Sequence, residues 1–260
     1  MDSVMDAGRR ATPDTRVMED SPPIGIAGSG RVARAIGRLL YLLGAPVAAA
    51  GSRNPEHARG AATFAGDGVR AVTLAELPAH AGRILVAVAD DAVEEVACTL
   101  AEAGMQNGAV LHTCGALGAE ALAPLAAQGV SCGALHPLQT FATPEQGVSS
   151  LPGAAFALTA DGAAAEWGED IAKLLGAKVL RIPADRRTIY HAAAVMGSNY
   201  VVALIDAAVL LLLAAGVEEA DARAALAPLA RTSVENAIGL GAARALTGPI
   251  ERNDLRTVAG

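Results

Sequence analysis

Two groups of residues hold most of the chemistry this sequence could perform. The first is the run Gly28-Ser29-Gly30-Arg31-Val32-Ala33, which follows the apolar segment Ile24 to Ala27 and opens a helical run from Arg31 to Leu43. At such a strand-to-helix turn the first glycine permits the tight bend and the second lets backbone amides approach a phosphate. A small third residue, here Ala33, lets helix and strand pack closely. The free N–H groups of the first helical turn add partial positive charge. Glycines placed for steric reasons alone would read the same way. The apolar strand before the turn, the helix after it and a second strand at Pro46 to Ala50 favour a dinucleotide pyrophosphate instead.

The second strand decides which dinucleotide to expect. A binder of the unphosphorylated form usually ends this strand on Asp or Glu, which bonds the ribose hydroxyls. Here the residues are Gly51-Ser52-Arg53-Asn54. With no carboxylate to repel a 2′-phosphate, and with Ser52 and Arg53 able to hold one through charge-assisted bonds, NADP(H) is the expected cofactor. An ordinary solvated arginine is the alternative for Arg53. The expected cofactor contacts are Gly28, Ser29, Gly30, Arg31, Val32, Ser52 and Arg53, with Ala89 and Asp90 at the end of a later strand.

The second group would do the proton chemistry. In open α/β sheets ligands lie beyond the carboxyl ends of the strands. Three segments end there: Ala89-Asp90-Asp91, His112-Thr113-Cys114-Gly115 and Leu135-His136-Pro137-Leu138-Gln139. His112 reads best as a structural histidine. A metal site of His112, Cys114 and His136 lacks a recognised ligand spacing, and no metal is expected. Further on comes Tyr190-His191, then Gly197-Ser198-Asn199-Tyr200. On one continuous helix His191 and Ser198 share a face about 10 Å apart along the axis, with Asn199 beside Ser198. A substrate and a nicotinamide ring laid along that face could reach both. Histidine exchanges protons near neutrality, as carbonyl or imine reduction requires. A polar stripe at a domain interface is the competing reading. Near the end, Thr247-Gly248-Pro249 with Arg252, Asp254 and Thr257 reads either as a substrate loop or as a plain helix connection.

The elements that position these residues follow from periodicity. Strands are expected at Val69 to Leu74, Arg83 to Ala89, Ala109 to His112, Val130 to Leu135 (stopped by Pro137), Ala154 to Leu158 and Lys178 to Ile182. The continuous apolar run RILVAVA at Arg83 to Ala89 has the pattern of a parallel strand buried on both faces. Helices are expected at Asp91 to Ala103, capped by Asp90 or Asp91, at Glu120 to Gln128 and at Ala163 to Leu175. Beyond the connector Pro183-Ala184-Asp185-Arg186-Arg187 only helices are expected: Ile189 to Gly216, Glu219 to Leu229 and Arg231 to Leu246. This predicts a doubly wound, mostly parallel α/β sheet of Rossmann type over 22–183 and an all-helical domain over 184–260. Residues 1–21 read as a mobile tail without the apolar stretch of a secretory signal, and Met18 is an alternative start.

Composition narrows the function classes. With 52% hydrophobic and 18% charged residues the chain is globular, and with only 3% aromatics its core relies on small side chains. A net charge of −7 and the lack of a basic run argue against nucleic-acid partners. Three cysteines without paired spacing suit a reducing cytoplasm. Val201 to Val217 is the most apolar stretch, but it is short for a span and contains Asp206, so it reads as a buried helix and no membrane partner is expected.

As a set, GIAGSGRVARAIG, GALHPLQTF, YHAAAVMGSNYVVAL and LTGPIERNDLRTV resemble a bacterial family of Rossmann-like proteins with a C-terminal domain of unknown function. That family is similar in turn to pyrroline-5-carboxylate reductase, the deazaflavin-linked NADP oxidoreductases and the β-hydroxyacid dehydrogenases. The resemblance implies a helical domain of the 6-phosphogluconate-dehydrogenase C-terminal type that dimerises and completes the active site. It also implies that the segment from Gly197 to Tyr200 faces the nicotinamide and that Thr247 to Pro249, with Thr257, meets a substrate carboxylate. The dehydrogenases carry a catalytic lysine on this helix. None is present here, and His191 is the nearest polar substitute. Relatives continue past the position of Gly260, which implies a shortened helical domain. The expectation is an NADP(H)-dependent oxidoreductase acting on a small keto or imino substrate, with His191, Ser198, Asn199, His136 and Asp254 as the catalytic set. A non-catalytic NADP(H)-binding sensor or scaffold is the alternative, and a deazaflavin as second ligand stays open.

Overall fold

In the computed structural model, which describes residues 21–246, the chain divides into two compact units between Ala193 and Ala194. The first is an α/β unit with eight strands in the order β3-β2-β1-β4-β5-β6-β7-β8. These are β1 (Ile24–Ala27), β2 (Val47–Gly51), β3 (Arg70–Val72), β4 (Arg83–Val86), β5 (Ala109–His112), β6 (Ser131–Leu138), β7 (Ala155–Ala160) and β8 (Lys178–Arg181). All neighbours pair in parallel except β6 and β7, which are antiparallel. The order reverses between β1 and β4, so a crevice opens beyond the carboxyl ends of those two strands.

The central strands are apolar throughout because both of their faces are covered. In β4, Leu85 joins one core while Ile84 and Val86 join the other, as the two-residue period of a strand requires. On the first face lie α1 (Arg31–Leu42) and α6 (Gly162–Leu174), which bury Ile36, Leu40, Trp167 and Ile171 against Ile26, Leu111 and Phe156. On the second lie α3 (Val93–Glu102) and α4 (Ala123–Ala126), with Val96, Leu100 and Leu125 against Val110. Two further helices, α2 (Pro55–Ala65) and α5 (Pro144–Ser150), stand where no helix was expected. Both begin with a side-chain cap followed by proline: Asn54 Oδ1 accepts from the Glu56 amide at 2.8 Å, and Thr143 Oγ1 from the Gln146 amide at 3.1 Å.

Several expected boundaries change. Strand β6 runs on through Pro137, because β5 ends opposite Ala134 and the rest of β6 pairs on one side only, where a residue without an N–H is tolerated. Neither Asp90 nor Asp91 caps α3; they form a single tight turn that leads into it, without a side-chain cap bond. The helix expected from Ile189 to Gly216 is two, α7 (Arg187–Gly197) and α8 (Asn199–Ala214), with Ser198 between them out of helical conformation at φ −126° and ψ −75°.

The second unit contains α8, α9 (Glu219–Leu240) and α10 (Ala242–Ala245). Helix α9 continues through Pro228, so the two helices expected at 219–229 and 231–246 are one long helix followed by a short one. The expectation that Val201 to Val217 is buried fails within the single chain. Only Val209 of α8 is buried, while Val202, Leu204 and Leu211 are each more than 65% exposed. By length and composition the stretch 184–214 is apolar enough to cross a membrane, with a mean hydropathy of 1.9 in its most apolar window. Its first turn, however, is tied into the α/β unit through buried Arg187, and Asp206 interrupts the rest.

Candidate functional site

The turn after β1 adopts the conformation its residues suggest. Gly28 has φ +133°, and a Cβ there would overlap the Ala87 carbonyl oxygen, so only glycine fits between β1 and the end of β4. Its amide donates to Gly51 O at 2.8 Å, which locks the turn against β2. Gly30 is extended, and a Cβ on it would meet no protein atom within 4 Å. No side chain caps α1 and no acidic residue sits in its first turn. The helix therefore offers free amide donors and partial positive charge where a phosphate could rest.

These groups border a cavity of about 810 Å³ at the carboxyl ends of the central strands. All nine residues expected to touch a cofactor line it: Gly28, Ser29, Gly30, Arg31, Val32, Ser52, Arg53, Ala89 and Asp90. At one end Asn54 and His57 join Ser52 and Arg53. Ser52 Oγ is 3.3 Å from Ser29 Oγ, and Arg53 Nη1 pairs with Glu95 Oε2 of α3 at 3.4 Å. Arg34 Nε donates to Ser29 O at 2.9 Å and holds the turn from behind. Thr113 and Asp90 line the cavity elsewhere, and Phe141 and Val96 help to wall it. The open amides, the room beside Gly30 and the cationic end together fit a dinucleotide.

Thr113 also leads into a second cluster. His112 is fully buried, and both of its ring nitrogens are taken by backbone: Nε2–H donates to Gly118 O at 2.8 Å and Nδ1 accepts from the Cys114 amide at 3.2 Å. This fixes the neutral tautomer, and burial holds its pKa below the usual imidazole value. His112 is thus a structural strut. Burial and the nearby Asp90 carboxyl push the Cys114 thiol up, away from a reactive thiolate. Among the described residues no group of three or more ligand-type side chains converges on a metal position.

His136 and His191 do come together. Their ring centroids are 5.9 Å apart, edge to face, and both rings pack over Gly115. A Cβ at residue 115 would overlap His191 Nδ1 and stand 3.0 Å from His136 Nε2. On its other side His136 Nδ1 is 2.7 Å from the Tyr190 hydroxyl. Burial, then His191 and Arg187, drive the His136 pKa down to about 4, so this imidazole is neutral at physiological pH. Burial also raises Tyr190, which leaves its phenol protonated. His191 Nδ1 is buried without a hydrogen-bond partner.

Arg187, one turn before His191 on α7, holds the cluster together. It is 1% exposed; Nη1 donates to Thr159 Oγ1 at 3.0 Å and Nη2 to Cys114 O at 2.6 Å. Burial lowers its pKa, but a guanidinium so far above neutrality stays charged. Sequence reasoning assigned Arg187 to a charged linker and passed over Tyr190. The available signal was their spacing: 187, 190 and 191 fall on one face of a helix that starts at the connector. The break at Ser198 removes the argument that placed Ser198 and Asn199 on the face of His191. Ser198 is half-buried and Asn199 exposed, in the second unit. Asp254, Arg252, Thr257 and the turn from Thr247 to Pro249 lie outside the described residues, as do residues 1–20 of the expected tail.

A Rossmann-like domain model matches residues 10–137, and a model for a domain of unknown function, DUF2520, matches residues 154–260. No curated protein matches the chain. Among solved structures, protein TM1727 from Thermotoga maritima is 24% identical with a TM-score of 0.70, covering 91% of this chain and 87% of its own. The 1-pyrroline-5-carboxylate reductase of Streptococcus pyogenes is 16% identical with a TM-score of 0.66, covering 90% and 84%. A reductive aminase from Aspergillus terreus, in complex with NADPH and ethyl-5-oxohexanoate, is 17% identical with a TM-score of 0.63, covering 84% and 75%. At these identities the likeness is one of fold: a mostly parallel α/β sheet followed by a helical region.

Proposed function

We propose that this chain, a Rossmann-like domain followed by a DUF2520 domain, is an NADP(H)-dependent oxidoreductase that acts on the C=O or C=N bond of a small keto or imino compound. The observation behind this reading is that one cavity gathers every residue expected to touch a dinucleotide, with Ser52 and Arg53 rather than a carboxylate just past β2. The NADPH in the similar reductive aminase structure is consistent with it.

The amides opening α1 and the backbone of Gly28 to Gly30 hold the pyrophosphate, while Ser52 and Arg53 hold a 2′-phosphate. When bound, the nicotinamide supplies or accepts the hydride. The chain must then handle one proton. Tyr190 and His136 form a neutral, hydrogen-bonded pair that can carry a proton to or from the substrate atom, and His191 stands against the same pair. Arg187 keeps the local field positive, which disfavours a charged His136 and favours a substrate oxygen or nitrogen gaining electron density. This arrangement takes the place of the lysine found in the β-hydroxyacid dehydrogenases. Ser198 and Asn199 remain candidates for positioning the ring and substrate, and Asp254 for contacting the substrate. The test is NADPH oxidation against a panel of keto and imino acids, with His191→Ala and Tyr190→Phe alongside. Loss of turnover with NADPH affinity kept supports the roles, and unchanged turnover in a variant removes that residue.

The missing lysine favours one other reading, an NADP(H)-binding sensor without catalysis. A sensor would bind NADPH tightly, turn over no member of the panel and change its assembly on binding. In either case a second copy of the chain covers the exposed apolar side chains of α8, since so much apolar surface is unstable in water. Sedimentation at micromolar concentration should give a dimer, and a monomer there would count against the proposal.

A further inference from the structure

The most exposed end of the dinucleotide cavity holds a pair that the cofactor assignment leaves unexplained. Arg53, just past β2, is the cation expected to bind a 2′-phosphate, yet its guanidinium faces the Glu95 carboxylate across a 3.4 Å gap. Their side chains are 70% and 62% exposed, so the pair is weak and easily broken. Two of the other polar groups at this end already have partners. Asn54 Oδ1 accepts from two amides of α2, and Ser52 Oγ pairs with Ser29 Oγ. His57 lines the same end of the cavity as a neutral or singly charged ring, a weaker phosphate partner than a guanidinium. Arg53 is thus the strongest phosphate donor here, and Glu95 competes for it.

We infer that Glu95 sets how strongly the site discriminates between phosphorylated and unphosphorylated dinucleotides, acting through Arg53. This rests on the reading that the cavity binds a dinucleotide. A 2′-phosphate dianion offers a guanidinium a stronger, two-pronged partner than an exposed carboxylate does, so Arg53 changes partner when the phosphate arrives. Glu95 is then left beside a dianion, unpaired and repelled. An unphosphorylated ribose asks nothing of Arg53 and leaves the pair intact. Glu95 therefore weakens binding of the phosphorylated cofactor selectively, and the preference of the wild type for NADPH is smaller than Arg53 alone would produce.

The experiment is a fluorescence titration of the folded full chain with NADPH and, separately, NADH, for wild type, Glu95→Gln and Arg53→Gln at low and high salt. Glu95→Gln should tighten NADPH about three- to ten-fold and leave NADH within two-fold. The gain should shrink at high salt, as expected for exposed charges, and also in the double variant, where Arg53 is no longer there to be released. Unchanged NADPH affinity in Glu95→Gln, or equal tightening of both nucleotides, would overturn the inference and leave the cofactor reading standing. Weaker NADH binding in Glu95→Gln would overturn it too, because it would make Glu95 a ribose ligand. If the wild type binds neither nucleotide, the cofactor reading itself falls and the inference with it.

Discussion

Alanine at Gly28 and alanine at Gly30 should have opposite consequences, although the two glycines sit two residues apart in one turn. At Gly28 the backbone has φ +133°, a region that residues with a Cβ rarely adopt, and the new methyl would overlap the Ala87 carbonyl oxygen. Backbone strain costs about 1–3 kcal/mol and overpacking against main chain about 1–3 kcal/mol more. Gly28→Ala should therefore lose roughly 2–6 kcal/mol, which lowers Tm by about 5–20 °C for a chain of this size. At Gly30 φ is −74° and a Cβ meets nothing within 4 Å, so the fold should not suffer. Reduced freedom in the unfolded chain adds about 0.4–1 kcal/mol of stability, which offsets the poorer fit of alanine at the N-cap of α1. The added methyl instead occupies space beside the open amides of α1, and NADPH should bind at least ten-fold more weakly. Calorimetric melting curves and NADPH fluorescence titrations of both variants make the comparison. The reasoning is refuted if Gly28→Ala melts with the wild type, or if Gly30→Ala binds NADPH as the wild type does.

Three other outcomes follow from the histidine cluster. His136 has a folded pKa of about 4 against an ordinary 6.5, so between those values the unfolded chain binds a proton that the folded chain refuses. Stability from this group is then fully present above pH 6.5 and falls as pH drops toward 4, by about 3 kcal/mol at most; urea denaturation across this range should show the slope, and His136→Asn should make it shallower, leaving the part due to buried His112. Gly115→Ala should displace the His191 ring while leaving the dinucleotide cavity alone, so turnover should fall at least ten-fold with NADPH affinity within about three-fold and a stability loss of about 1–3 kcal/mol. Thr159→Val deprives buried Arg187 of one acceptor and should cost about 1–3 kcal/mol in chemical denaturation, with an unchanged denaturant slope.

Much of the α/β unit was legible because its signals are local. The apolar runs of β1, β4 and β5 and the glycine turn announce themselves within a few residues, and the residues that line the cavity follow from them. Pro137 misled because a proline is read as a stop, whereas its tolerance depends on which neighbour strand has already ended. Helices α2 and α5 were missed although Asn54-Pro55 and Thr143-Pro144 carry a clear start signal, because their alanine-, glycine- and serine-rich faces show little apolar periodicity. The geometry of the histidine cluster was only half legible. That His136 and His191 meet over Gly115 depends on packing between segments more than fifty residues apart, and Arg187 reads as a linker residue until its hydrogen bonds to Thr159 and Cys114 are known. The break at Ser198 did carry a local signal, since Gly197, Ser198 and Asn199 are poor helix formers, but the apolar runs on either side outweighed it.

The most direct test of the whole account is a calorimetric titration of the wild-type chain with NADPH. The account predicts saturable one-site heat with a micromolar or tighter Kd, lost in Gly30→Ala while that variant stays folded. No heat beyond dilution across the titration, with an unchanged Tm in excess NADPH, would contradict it.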